Sequence, residues 1–102
     1  MDKELAGAMI SVNEEGYLTD LSQWTREIGI EIAREEGIEM TDQHWSVIDY
    51  IQDQYRNSAS LSLRSLGKRG PVSIKELYQL FPDGPLKKSS RIAGIPKPAS
   101  CI

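Results

Sequence analysis

Between Trp24 and Ala93 the apolar residues recur at helical spacing, and the polar residues between them carry the start and stop signals of separate helices. Trp24, Ile28 and Ile32 lie four apart; Asp20 or Ser22 is placed to cap a helix running to about Glu36, and Gly37 stands just past its end. Thr41 opens a second helix whose apolar face is Trp45, Ile48, Ile51 and Tyr55. Ser58-Ala59-Ser60 interrupts the pattern, and a shorter helix is predicted over Leu61 to Arg69, stopped by Gly70-Pro71. Ser73 and Glu76 form a capping box ahead of Ile74, Leu77, Tyr78 and Phe81, which predicts a fourth helix. After the turn Pro82-Asp83-Gly84-Pro85, Pro85 suits the first position of a fifth helix reaching about Ala93. Upstream, Ala8-Met9-Ile10-Ser11-Val12 is β-prone and Tyr17-Leu18 resumes apolar character, so Asn13 and Gly16 are read as the turn of a small hairpin. Residues 1–94 are thus expected to form one domain, and residues 95–102 an extended arm.

Length and composition fit that reading. The 102 residues can bury one core and not two, and 39% hydrophobic against 26% charged residues is the balance of a globular protein. No apolar run is long enough to cross a bilayer, and the start Met1-Asp2-Lys3-Glu4 lacks the basic beginning of a secretory signal, so no membrane role and a cytoplasmic setting are expected. One cysteine cannot make an internal disulfide, and with the single His44 it falls short of a structural zinc set; no cofactor is called for.

Charge is unevenly placed. Residues 1–55 hold thirteen carboxylates against three cations, a net of −10, whereas residues 56–102 hold two against nine, a net of +7. Such a split lets the halves attract each other, or presents a basic face to an anionic partner. Arg64, Lys68, Arg69, Lys87, Lys88 and Arg91 are the candidates for that face, toward tRNA or an acidic protein surface; without base-stacking aromatics among these six, the case for direct nucleic-acid contact is weak. A helix-turn-helix regulator built on residues 61–81 is the alternative from another class, and the overall charge of −3 speaks against it.

The chemistry-bearing candidate is Cys101, the penultimate residue, on the tail Ala93-Gly94-Ile95-Pro96-Lys97-Pro98-Ala99-Ser100-Cys101-Ile102. Pro96 and Pro98 cannot continue a helix and bias Ile95 and Lys97 toward extended conformations, so the arm loses less entropy on docking than a glycine linker would. From Ile95 to Ile102 its reach is at most about 25 Å. A thiol so carried can be presented to another protein; the plain alternative is a terminal cysteine of no consequence. The neighbouring α-carboxylate opposes ionisation of the thiol, whereas Lys97, with Arg91 and Lys88, favours it. His44, in a first helical turn, is read as a capping or surface group with a minor claim on the chemistry, and Trp24 and Trp45 as packing residues.

Gly16-Tyr17-Leu18, Ser22-Gln23-Trp24, Glu36-Gly37-Ile38, His44-Trp45, Leu80-Phe81-Pro82-Asp83-Gly84-Pro85 and the tail with its penultimate cysteine, taken in that order, resemble the DsrC/TusE family: the gamma subunit of dissimilatory sulfite reductase and the TusE-type sulfur-relay proteins. The resemblance implies an α+β fold, a β-hairpin or meander against a helical array, with a mobile C-terminal arm whose cysteine, here Cys101, accepts sulfur and passes it on. Family members working with sulfite reductase have a second cysteine eleven residues earlier, where this chain has Ser90. That departure points to the TusE-like branch, a persulfide carrier between an upstream sulfur donor and a tRNA thiouridylase. An accessory gamma-type role, docking on a sulfite reductase or sulfur-oxidising complex, is the runner-up.

Overall fold

The computed structural model describes residues 1–59 and 61–97; Pro98 and Cys101 lie outside the described residues. Two antiparallel strands, β1 (Asp2–Leu5) and β2 (Ala8–Ser11), precede five helices: α1 (Arg26–Glu35), α2 (Asp42–Arg56), α3 (Leu63–Arg69), α4 (Ile74–Leu80) and α5 (Pro85–Ile92). The architecture is α+β, with a small β layer on a helical array.

The hairpin differs from the expected one. β2 pairs with β1, Leu5 opposite Ala8 and Asp2 opposite Ser11, across the two-residue turn Ala6-Gly7, where both residues have positive φ as a primed turn requires. The expected turn over Asn13 and Gly16 does form: the Asn13 side chain accepts from the amides of Glu15 and Tyr17, and Gly16 has φ of +85°. It closes only one bridge, Val12 to Leu18, so the chain makes a three-segment meander whose third segment is not a strand. Strand β1 carries no strand signal in sequence, because Asp2-Lys3-Glu4 lacks β-branched or aromatic residues.

The first helix also starts later than the spacing predicts. Asp20 caps a separate 3-10 turn, Leu21–Gln23, and its carboxyl is held below the ordinary value by hydrogen bonds from the Ser22 hydroxyl and amide. The chain is extended at Trp24 and Thr25, and Thr25 Oγ1 accepts from the Ile28 amide to cap α1. Trp24 therefore stands before the helix whose face it was expected to join. Helix α3 starts at Leu63 and not at the expected Leu61, because the Ser62 hydroxyl accepts from the Ser65 amide and caps it there. The other predicted starts hold: Thr41 precedes α2, the Ser73–Glu76 box opens α4, and Pro85 is the first residue of α5.

One core joins both layers. Ile10, Val12 and Leu18 from the meander meet Ile28 and Ile32 of α1, Ile48 and Ile51 of α2, Leu66 and Leu77 of the α3–α4 pair, and Leu86 and Ile92 of α5. Helix α5 packs against both α1 and α2, which puts its C-terminal end, the start of the tail, in the middle of the fold.

Candidate functional site

The tail begins where α5 stops, and it stops in a Schellman arrangement. Gly94, with φ of +75°, donates to the Arg91 carbonyl at 3.2 Å, and Ile95 donates to the Ser90 carbonyl at 3.3 Å. The next orphan carbonyls are taken by side chains from other elements. Trp24 Nε1 donates to the Ile92 carbonyl at 2.7 Å, and Gln52 Nε2, buried in α2, donates to the Ala93 carbonyl at 2.8 Å. A helix end whose carbonyls were buried unpaired would be costly; here each of these bonds also fixes the direction in which the chain leaves.

Ile95, expected as the first residue of the arm, is a core residue at 1% exposure. The exposed tail thus begins at Pro96, one residue later than the end of the helical pattern implied, because a Schellman motif places the second residue past the cap back against the helix. Neither Trp24 nor Gln52 was assigned this task from sequence. The available signal was Gln52 itself, a polar side chain four residues after Ile48 within a core-facing stripe.

The cations expected from sequence to favour the thiolate have separate fates. Arg91, 14% exposed in its side chain, reaches Glu35 and Glu36 at 2.6 Å each and donates through Nε to the Gly16 carbonyl at 3.2 Å. It is a clamp between α5, the end of α1 and the meander, and its charge is already answered by two carboxylates. Burial pushes the Glu35 carboxyl up, but hydrogen bonds from Lys3 and Arg91 and their positive charges outweigh it and hold Glu35 below the ordinary value. Lys97 Nζ lies 3.2 Å from Glu15 Oε2, an exposed pair tying the first tail residues to the meander turn. Lys88 forms no ion pair among the described residues.

His44 is a structural cap. Its Nδ1 accepts from the Thr41 amide at 3.1 Å and lies 2.7 Å from Thr41 Oγ1, so Nε2 carries the hydrogen it donates to the Leu80 carbonyl at 2.8 Å. The ring meets Phe81 edge-on at 5.1 Å. One buried imidazole therefore closes both the start of α2 and the end of α4, and replacing it with alanine is expected to cost about 2–3 kcal/mol, read as a lowered urea midpoint. Trp24 and Trp45 pack edge to face at 6.5 Å, and the Arg26 guanidinium lies 4.1 Å above the Trp45 ring, which bears out the packing role.

Ser90 lies on α5 with its side chain wholly buried, and its hydroxyl makes no hydrogen bond among the described residues. A buried hydroxyl without a partner destabilises, so Ser90→Ala is expected to leave thermal stability unchanged or raise it by up to about 1 kcal/mol. A loss in a calorimetric melt would show that the hydroxyl is bonded.

The basic residues of the second half do not form one face. Arg64, Lys68 and Arg69 line a cleft of about 410 Å³ between α2 and α3, together with Tyr50 and Gln54. Arg91 is drawn away to the acidic end of α1, and Lys87 stands on α5. Helix α4, which a helix-turn-helix would insert into a groove, carries Lys75 beside Glu76 and exposes Ile74 and Tyr78. That is not the surface of a basic recognition helix. Among the described residues no helix is long and apolar enough to cross a membrane.

Comparison with known proteins agrees with the α+β fold. The family model described as DsrC like protein matches residues 4–102. The sulfurtransferase TusE of Salmonella typhimurium and that of Escherichia coli K12 are each 38% identical to the chain over an alignment of 104 residues, covering 94% of this chain and 95% of the relative. Among solved structures, the NMR structure of Allochromatium vinosum DsrC superposes with a TM-score of 0.83 at 33% identity, covering all of both chains. The oxidized gamma subunit of the dissimilatory sulfite reductase, DsrC, from Archaeoglobus fulgidus gives 0.81 at 32% identity, again over all of both chains.

Proposed function

We propose, for a chain that belongs to the DsrC-like family, that it is a sulfur carrier in which Cys101 accepts sulfur as a persulfide and hands it to a second protein. The observation that carries the reading is the position of the chain's one thiol, six residues beyond a root fixed at Ile95. Six residues at full extension span on the order of 20 Å. A rigidly oriented root with a short proline-bearing tether delivers a thiol into a partner's cleft while keeping the search volume small.

The transfer requires no redox partner. The Cys101 thiolate attacks the outer sulfur of a donor persulfide, the donor's S–S bond breaks, the donor leaves as its thiolate, and Cys101 becomes a persulfide. The same step with an acceptor thiolate in the attacking role returns Cys101 to its starting state. With Arg91 committed to Glu35 and Glu36, the tail's own cation is Lys97, shared with Glu15, while Lys88 on α5 forms no ion pair among the described residues. A partner's site then supplies what further lowering of the thiol pKa the reaction needs.

The relatives named sulfurtransferase TusE, and Ser90 standing where a second cysteine would be, favour a relay toward tRNA thiolation. The upstream partner is then a persulfide-bearing donor and the downstream one a tRNA thiouridylase, in a reducing compartment such as the cytoplasm. Docking on a sulfite reductase or sulfur-oxidising complex is the second reading, favoured by the likeness to the gamma subunit. Incubation with a cysteine desulfurase, cysteine and relay donors should add about 32 Da, one sulfur atom, to the intact mass, reversibly with dithiothreitol. No gain with any persulfide donor overturns the carrier reading. Adding a tRNA thiouridylase with tRNA, or the reductase, separates the two acceptors.

A further inference from the structure

We infer that the cleft between α2 and α3 is a docking surface for an acidic, extended segment of a partner protein. The inference rests on cations left uncommitted in a chain that has carboxylates to spare. Arg64, Lys68 and Arg69 are exposed and form no ion pair among the described residues, while the chain as a whole is negatively charged. Helix-dipole effects account for Lys68 and Arg69, which lie in the last turn of α3, but not for Arg64, whose charge sits in the first turn where the dipole opposes it. A partner's carboxylates would repay that placement.

The cleft has the other features such a segment needs. Arg64 and Lys68 are four apart on α3, about 6 Å along the helix, which matches alternate side chains of an extended strand at roughly 6.6 Å. The half-buried Tyr50 offers an aromatic face to an apolar side chain between the carboxylates, and the Gln54 amide can both donate to and accept from the segment's backbone. Arginine in particular receives a carboxylate through two parallel bonds. A nucleic acid strand fits less well: Asp49 and Asp53 are exposed on the same helix as Tyr50, and the net charge of −3 repels a long polyanion. The inference does not depend on the sulfur chemistry of Cys101.

The test uses the reduced, sulfur-free full chain and a fluorescein-labelled heptapeptide of alternating glutamate and valine, with a peptide of alternating lysine and valine and a uridine 20-mer RNA as comparisons. Anisotropy should show saturable binding of the acidic peptide, weakening about tenfold between 50 and 300 mM NaCl. Amide NMR shifts should centre on Tyr50, Gln54, Arg64, Ser65 and Lys68. Arg64→Ala combined with Lys68→Ala should raise Kd at least about fivefold with an unchanged melting curve, and Lys87→Ala, on α5, should change it less than about twofold. The inference is overturned if the acidic peptide fails to bind at millimolar concentration, if the double variant binds it as well as the parent, or if the RNA moves the same amides at lower concentration.

Discussion

Cys101→Ser is expected to abolish sulfur loading completely: with every donor that adds about 32 Da to the parent chain, the variant's intact mass should stay unchanged. The substitution replaces one atom and keeps its size, so what it tests is chemistry. An oxygen nucleophile at neutral pH is almost fully protonated and forms no stable bond to sulfane sulfur, whereas a thiol is a few per cent thiolate and makes an S–S bond. No second thiol can substitute, since Cys101 is the only cysteine in the sequence. Among the described residues the core is complete by Ile95, so the melting temperature should move by less than about 2 °C. Full loading of the serine variant would place the sulfur on another group and remove the basis of the carrier reading. Absent loading together with a collapsed melt would instead assign Cys101 to the fold.

The parts of this molecule that were legible in sequence are those decided within one turn of chain. Ser73 and Glu76 satisfy each other across three residues, Pro85 needs only its own fixed φ, and Asn13 bonds amides two and four residues on. Each is a local rule that tertiary context had no reason to override. Asp20 shows the limit of such rules: it does cap a helical turn, but the 3-10 turn ends at Gln23, and Trp24 leaves it to bond Ile92, 68 residues away.

What escaped the sequence lies in such long-range partners. Nothing near Gln52 says that it will hold Ala93, and nothing near Arg91 says that Glu35, Glu36 and the Gly16 carbonyl will converge on it. The charge asymmetry was legible and its resolution was not. Arg91 and Lys97 do join the basic half to the acidic one, while Arg64, Lys68 and Arg69 remain unpaired among the described residues. Cys101 could be picked out from composition and position alone. Ile95, buried at the root of the tail, reads as arm because a single isoleucine between Gly94 and Pro96 has no periodicity to betray burial.

Gly94→Ala should be among the most damaging single changes in the chain, costing about 3–4 kcal/mol and lowering the melting temperature by more than about 10 °C. Two terms add. The left-handed backbone, φ of +75°, costs a residue with a Cβ about 1 kcal/mol. The Cβ itself would stand 2.4 Å from Trp24 Cδ1 and 2.8 Å from Cγ, so either the indole or the tail root must move. Moving the indole breaks its 2.7 Å bond to the Ile92 carbonyl and leaves two partly buried polar groups unpaired. Gly37 provides the matched comparison: it has φ of +73° at the end of α1, and a Cβ there would meet nothing within 4 Å. Gly37→Ala should therefore lose only the backbone term, about 1 kcal/mol, in urea titrations run side by side. Equal losses at the two positions would mean that the Trp24 contact does not hold the tail root. A threefold difference would measure how much the Trp24 contact contributes to holding the tail root at Gly94.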